Sequence, residues 1–499
     1  MPDRLVVSAG QMQTLREHLL QEDAQERCAY GFCTRSGDRW VVADIVAVPD
    51  EAMRTQRRTA CRPAPAFERD QLGTCVRHGY RPLLMHSHPF SDTAGFSGQD
   101  ITAINRYTNW LHGLYPETDF GFSVVGRREV ETTVFEAAAE QFHPVPVDVV
   151  GNWRLDPPVA TATDTAAIDA DLHDRSLRLL TEPGQQRLAA TTVAVVGTGG
   201  LGFSLTKQLA RLGVQHLVLI DPDTVERSNL NRLTGATVWD VGRQKVTVLA
   251  QQLHDTGLDL TVETVPDPVE DATDALTDCD VVVGTVDQVS TRSVLNQYCV
   301  RHLRYYIDAG TVIRTADEEQ VTAIEGIVQL VAPGASACYA CLDRADPERA
   351  RREQLSTAQL DAEVAEGYIE ESALAPDPAV VTLNGTIASQ AAAVFARLAA
   401  GYASPPDMVR YEELDTQLQE LVTHRDSSCP TCGEEGLLGQ GDRDPAADRD
   451  LGDPADSDLD LAISGGDTAT DGGTPVAGTR RPGQRLVQWL TRISQQVRP

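Results

Sequence analysis

One ten-residue stretch, Val193-Ala-Val-Val-Gly-Thr-Gly-Gly-Leu-Gly202, restricts what this chain can fold into more than any other. A β-branched run ends in glycines, and a segment with helical apolar spacing, Phe203 to Leu212, follows at once. The pattern predicts a strand, a sharp turn and a helix. Gly197, Gly199, Gly200 and Gly202 let the backbone turn and bring bare N–H groups close to a phosphate at the helix N-terminus. A second strand, His216 to Ile220, ends on Asp221, placed to take ribose hydroxyls. Taken alone, a glycine pattern with a downstream acid suits any dinucleotide-binding α/β domain, NAD-binding ones included.

The residues that follow narrow the choice. Asp221-Pro-Asp-Thr-Val-Glu-Arg-Ser-Asn-Leu-Asn-Arg232 is followed by Gly242-Arg-Gln-Lys245. Two bridging phosphates are already served by a helix N-terminus. The added Arg232 and Lys245 suit a triphosphate, whose departing pyrophosphate develops negative charge. Asp287, just past a strand at Asp280 to Thr285, stands where a magnesium ligand would sit. This string and its spacing to Lys245 resemble the ThiF/MoeB family, bacterial relatives of ubiquitin-activating enzymes. The resemblance implies a Rossmann-like ATP-binding domain that joins the C-terminal carboxylate of a small carrier protein to AMP. It further implies that Asn229, Arg232 and Lys245 meet the nucleotide and that Asp287 holds magnesium. In that family an arginine ahead of the first strand reaches the partner subunit's triphosphate, which casts Arg175 in that role and implies a homodimer. From the residues alone, Arg175 is an arginine on a helix.

Ten cysteines in a chain with no secretory opening point to metal or catalysis before disulfides. Cys338-Tyr-Ala-Cys341 and Cys429-Pro-Thr-Cys432 are matched knuckles offering four thiolates to one closed, structural zinc. A thioredoxin-like pair would open a helix after a strand, and neither pair does. The resembled family has such pairs at corresponding places. Members that carry substrate as a thioester or persulfide place a cysteine before the last helix, but Gly367 to Pro378 contains none. The expectation is adenylation, with any later transfer completed by another protein. Cys28, Cys33, Cys61, Cys75, Cys279 and Cys299 read as core or surface.

The N-terminal part reads as an independent α/β unit, residues 1–145. A strand at Arg4 to Val7 precedes a helix at Ala9 to Leu20; Cys28 to Thr34 and Trp40 to Val48 look paired, and Ala66 to Arg77 is helical. A strand at Pro82 to Met85 delivers His86-Ser-His88, whose rings alternate onto one face. Asp100, in the first turn of a helix capped by Ser97, supplies a third ligand. Three protein ligands with one open position is the catalytic zinc arrangement, which lowers the pKa of a bound water to about 7. Glu26 is the candidate base and Ser97 the candidate oxyanion donor, with Glu22 and Asp92 as alternatives for base and ligand. This pattern resembles the JAB/JAMM (MPN-like) metalloproteases, which release ubiquitin-like proteins from C-terminal extensions or amide conjugates. The eight residues between His88 and Ser97 are one more than that family's usual spacing.

Residues 146–170 read as a Pro/Thr/Ala linker, 171–433 as the adenylating domain, 434–482 as a disordered acidic segment and 483–499 as a short amphipathic helix. A net charge of −30 argues against non-specific nucleic-acid binding, and no apolar run reaches membrane-spanning length, so a cytoplasmic location is expected. The expected cofactors are ATP, magnesium and two zincs. The expected partner is a ubiquitin-like or ThiS/MoaD-like carrier ending in Gly-Gly. Alternatives are adenylation for sulfur transfer in cofactor or siderophore synthesis, with the first domain as a carrier-binding module, and an NAD oxidoreductase.

Overall fold

The computed structural model describes residues 2–151, 168–316, 320–369 and 378–443, which form two compact units. The first comprises the chain to Asp148 together with the segment that begins at Gly439; the second runs from Val149 to Leu438.

In chain order the first unit has β1 (Arg4–Ser8), α1 (Ala9–Leu19), β2 (Cys28–Ser36), β3 (Arg39–Ala47), β4 (Met53–Arg57), β5 (Ala60–Pro63) and α2 (Pro65–Arg77). It continues with β6 (Arg81–Ser87), α3 (Gly98–Leu114), β7 (Phe120–Val125), β8 (Val130–Glu136), β9 (Gln141–Pro144) and β10 (Val147–Val150). Eight strands form one mixed sheet in the order β10-β1-β3-β2-β6-β7-β8-β9, while β4 and β5 make a separate hairpin. Helix α1 starts where Ser8 and Gln11 close a capping box. A core of Tyr30, Phe32, Leu72, Phe120, Phe122 and Phe135 fills one side of the sheet.

The second unit opens with α4 (Asp174–Ala190), β11 (Thr192–Val196), α5 (Gly200–Leu212), β12 (His216–Ile220), α6 (Lys245–His254), β13 (Thr261–Val265) and β14 (Val281–Gly284). It then has α7 (Val289–Arg301), β15 (Tyr305–Ala316), β16 (Gln320–Val331), α8 (Pro347–Glu353), α9 (Thr357–Ala365), α10 (Val381–Ala400), β17 (Met408–Glu412) and β18 (Gln417–Leu421). The sheet order is β13-β12-β11-β14-β15-β16-β17-β18; the first five strands are parallel and the last three antiparallel. Buried on both faces, β11 and β14 read as the unbroken apolar runs of a parallel sheet. Helix α5 buries Leu201, Phe203, Leu205 and Leu209 and stops at Gly213, whose φ of 100° is the left-handed cap glycine tolerates. Because β11 lies between β12 and β14, the strand order reverses beside it. Ligands of open α/β sheets bind at the carboxyl ends of strands at such a point.

Two boundaries differ from expectation. The linker was expected from residue 146, yet β10 (Val147–Val150) adds to the first sheet beside β1, with Asp148 3.1 Å from Arg4. Disorder was expected from residue 434, yet Leu437 N–H donates to Thr431 O, and Gly439 to Arg443 pack on the first unit. In both cases local composition reads as loop, and the ordering contacts come from far away in sequence. The expected helix at 483–499 lies outside the described residues. No helix among the described residues is long and apolar enough to cross a membrane.

Candidate functional site

The glycine turn stands at the carboxyl end of β11. A Cβ at Gly202 would lie 2.0 Å from Gly197 O, so the turn can only close around glycine. One at Gly199 would meet nothing within 4 Å, leaving the helix N-terminus open to an incoming phosphate. Gly200 sits against the Arg232 stem and the Asn384 amide, since a Cβ there would fall 3.1 Å and 2.5 Å from them. Sequence reasoning passed over Asn384. It is buried near the start of α10, some 180 residues from the turn it touches, and an isolated Asn on a helix carries no local signal.

Asp221 closes β12. Thr198 N–H and its hydroxyl donate to the carboxylate at 2.5 and 3.1 Å, and Asp223 N–H donates at 2.8 Å. Burial raises its pKa, with Lys245 pulling the other way. Lys245 begins α6 and pairs with Asp223 at 2.7 Å. Arg232 Nη1 donates to Ser228 O at 2.9 Å. Asn229 is buried and spends its amide locally, accepting from Glu226 N–H at 3.2 Å.

Asp287 is exposed past the end of β14. The loop that carries it is held from below. Arg292 donates to Val286 O and pairs at 2.6 Å with Asp308, which pairs also with Arg344 at 2.8 Å. Asp308 is fully buried; desolvation alone would raise its pKa, but the two guanidiniums outweigh that and hold it low. Glu353 accepts from Val289 and Ser290 N–H at 3.1 and 2.8 Å, capping α7. None of these supporting residues was legible in the sequence, where each is a charged residue on an unremarkable helix, strand or loop. Arg175 is exposed at the start of α4 and forms no ion pair among the described residues.

Cys338, Cys341, Cys429 and Cys432 converge, with sulfurs 3.8 Å (338–341), 3.7 Å (338–429) and 3.3 Å (341–432) apart. A tetrahedron with metal–sulfur bonds of about 2.3 Å has edges of about 3.8 Å, so the donor set fits. A hydrogen bond from Cys432 helps pull the Cys338 thiol down to about 5.

In the first unit, β6 delivers His86 and His88 with ring centroids 5.2 Å apart. Asp100 Oδ1 lies 3.2 Å from His86 Nε2, and Oδ2 3.3 Å from His88 Nε2. One donor atom from each of the three residues lies within 4.8 Å of the others, close enough to meet a single ion, and His86 Nε2 is a buried nitrogen with no hydrogen bond. Both observations fit a metal. Burial opposes ionisation of Asp100, but the His86 and His88 rings facing its two oxygens win and hold its pKa well below the usual carboxylate range. Glu26 Oε1 is 4.0 Å from His88 Nε2, and burial pushes the Glu26 carboxyl up to about 7. Ser97 and Asp100 form a reciprocal capping box, with Ser97 N–H donating to Asp100 Oδ2 at 2.6 Å and Ser97 Oγ accepting from Asp100 N–H at 3.2 Å. Of the alternatives, Asp92 pairs with Arg128 at 3.8 Å and is not among the three ligands that converge.

Sheet order, glycine turn and the buried acid that closes β12 define the second unit as a Rossmann-like α/β domain. The chain belongs to the ThiF family, whose model matches residues 173–431. It is 30% identical over 255 residues to the molybdopterin-synthase adenylyltransferase of Escherichia coli (strain K12), covering 50% of this chain and 90% of that protein. It is 31% identical over 255 residues to the same organism's sulfur carrier protein ThiS adenylyltransferase, covering 50% and 89%. The SAMP-activating enzyme E1 of Haloferax volcanii is 29% identical over 282 residues, covering 55% and 93%. A solved structure, E. coli MccB with ATP, aligns with a TM-score of 0.43 at 22% identity, covering 53% and 74%.

Proposed function

We propose that the chain is an enzyme with two chemical heads acting on one small carrier protein. The ThiF-family domain adenylates the carrier's C-terminal carboxylate with ATP, and the N-terminal unit hydrolyses peptide or isopeptide bonds after that terminus. The observation that carries the first half is the gathering of an open helix N-terminus at Gly199, a buried Asp221, and Arg232 and Lys245 around one switch point. The relatives named as adenylyltransferases of ThiS and of molybdopterin synthase support a carrier protein as substrate.

In this reading the carrier carboxylate is itself the nucleophile, so the protein's work is positioning and charge stabilisation. The glycine turn cradles phosphate, Asp221 holds ribose, and Arg232 with Lys245 take the charge of the leaving pyrophosphate. Asp287 would hold magnesium, which would supply further charge neutralisation. The exposed Arg175 is assigned to a partner copy's site in a homodimer.

In the first unit His86, His88 and Asp100 would hold a zinc that supplies Lewis acidity. Glu26, poised near neutrality, takes the proton of the attacking water and returns it to the leaving amine. Ser97 Oγ accepts from Asp100 N–H and keeps its own proton to donate to the developing oxyanion. The four cysteines would close a second, structural zinc.

Purified chain incubated with ATP, labelled pyrophosphate and a Gly-Gly-ended carrier should exchange label into ATP, and should cleave a carrier extended past its terminal glycines. Binding of NAD without exchange would overturn the adenylation reading. Exchange without any cleavage would confine the proposal to its first half.

A further inference from the structure

Outside the tetrad, Cys28, Cys33, Cys75, Cys279 and Cys299 are buried, and Cys61 alone is half-exposed. Its sulfur stands 2.8 Å from that of Cys28. A disulfide bond is about 2.05 Å long, so the pair must close by only about 0.8 Å. The two lie on separate elements: Cys28 opens β2, and Cys61 is in β5, the second strand of the isolated hairpin.

That hairpin touches the histidine cluster by three routes. Cys28 is the register partner of His86. Glu26 N–H donates to Arg57 O at 2.9 Å, at the hairpin's first strand end. Arg58 lies 5.7 Å over the Phe90 ring, which stacks on His88 at 5.9 Å.

We propose that Cys28 and Cys61 form an oxidant-responsive dithiol that closes to a disulfide and fixes the β4–β5 hairpin to β2 beside His86, His88 and Asp100. The oxidant class is a hydroperoxide. The accessible Cys61, as thiolate, attacks a peroxide oxygen. The O–O bond breaks, hydroxide leaves and is protonated to water, and Cys61 becomes a sulfenic acid. Cys28 sulfur then attacks Cys61 sulfur, the S–O bond breaks, and the hydroxyl leaves as water with the Cys28 proton. Two thiols have lost two electrons and hydrogen peroxide has become two waters; a dithiol reductant reverses the step. Cys33, Cys75, Cys279 and Cys299 are wholly buried and do not compete for the oxidant.

The effect on hydrolysis rests on the zinc-head reading; the linkage does not. Drawing β5 onto Cys28 shifts the carbonyl that holds Glu26 and the strand position facing His86, and displacements of about 1 Å at a reacting centre cost up to about 100-fold. The test treats the full zinc-loaded chain with hydrogen peroxide and maps its peptides. A Cys28–Cys61 linkage with loss of two hydrogens is expected, reversed by dithiothreitol and absent in Cys61→Ser. Hydrolysis should fall about tenfold or more in the linked form while pyrophosphate exchange is unchanged. Cys61 recovered as sulfinic acid beside a free Cys28, or a link that leaves hydrolysis undiminished, would overturn the proposal. A link that forms in a chain hydrolysing nothing in either state would overturn the zinc-head reading and leave the dithiol standing.

Discussion

Lys245 Nζ lies 2.7 Å from Asp223 Oδ2, and Asp223 N–H in turn donates to the buried Asp221. The ammonium is held by a partner that is itself 64% exposed, so a phosphate entering the proposed nucleotide site can take it over at low cost.

Lys245→Ala should therefore lower ATP–pyrophosphate exchange by about 100- to 1,000-fold, the scale of losing one preorganised donor. The thermal midpoint should move little, because a partly exposed ion pair contributes about 1 kcal/mol or less. Hydrolysis by the first unit should not change; loss of both activities would count against separate heads.

Metal analysis of the intact chain should find two zincs. His86→Ala should leave one, abolish cleavage and spare exchange, because its ligand set and the cysteine tetrad share no residue.

Glu26→Gln should keep both metals yet slow cleavage by about 100- to 10,000-fold, the usual range for a lost general base. A variant that loses zinc instead would show that Glu26 serves the metal rather than the water.

Cys429→Ala removes a sulfur from a core that also contains Val218, Leu295 and Tyr306. Metal affinity at such a site is folding free energy. The second unit should unfold at clearly lower denaturant concentration, and a chelator should reproduce the effect in the unaltered chain.

Glu68 is almost fully buried, accepting from Tyr30 O–H at 3.1 Å, and burial pushes its pKa from 4.5 up to about 7. Between those values the folded chain keeps a proton the unfolded chain has lost. The associated stability is complete below about pH 4.5 and is lost as pH rises through 7, amounting to about 3 kcal/mol for the first unit. Glu68→Gln cannot ionise, so urea unfolding between pH 5 and 8 should lose that slope.

The glycine turn, the two cysteine knuckles and the His-x-His strand were legible because each puts its chemistry within a few consecutive residues. A cap, a turn or an alternation dictates such geometry locally, which is why His86 and His88 share a face and Asp100 stands one cap beyond Ser97. Residues whose meaning comes from distant partners were not legible. Asp308 is an acid ending the buried start of β15 until Arg292 and Arg344 meet it, and β17 has no signal beyond a short alternation until it pairs with β16. Strand β10 and the turn after Leu437 hide for the same reason, in stretches whose Pro, Gly and Asp read as linker.

Segment 439–443 completes the first unit from the far end of the described chain. Thr34 Oγ1 donates to Gly439 O at 3.0 Å, Asp442 N–H to Arg35 O at 2.7 Å, and Arg443 lies 4.6 Å over the Tyr80 ring. On the ribosome, strands β2 and β3 must wait for nearly 290 further residues after Val150 before this last piece arrives, about 15 to 60 s at ordinary synthesis rates. The histidine-bearing unit is translated first and finished last, so a nascent chain has a complete Rossmann-like domain before its first unit is complete.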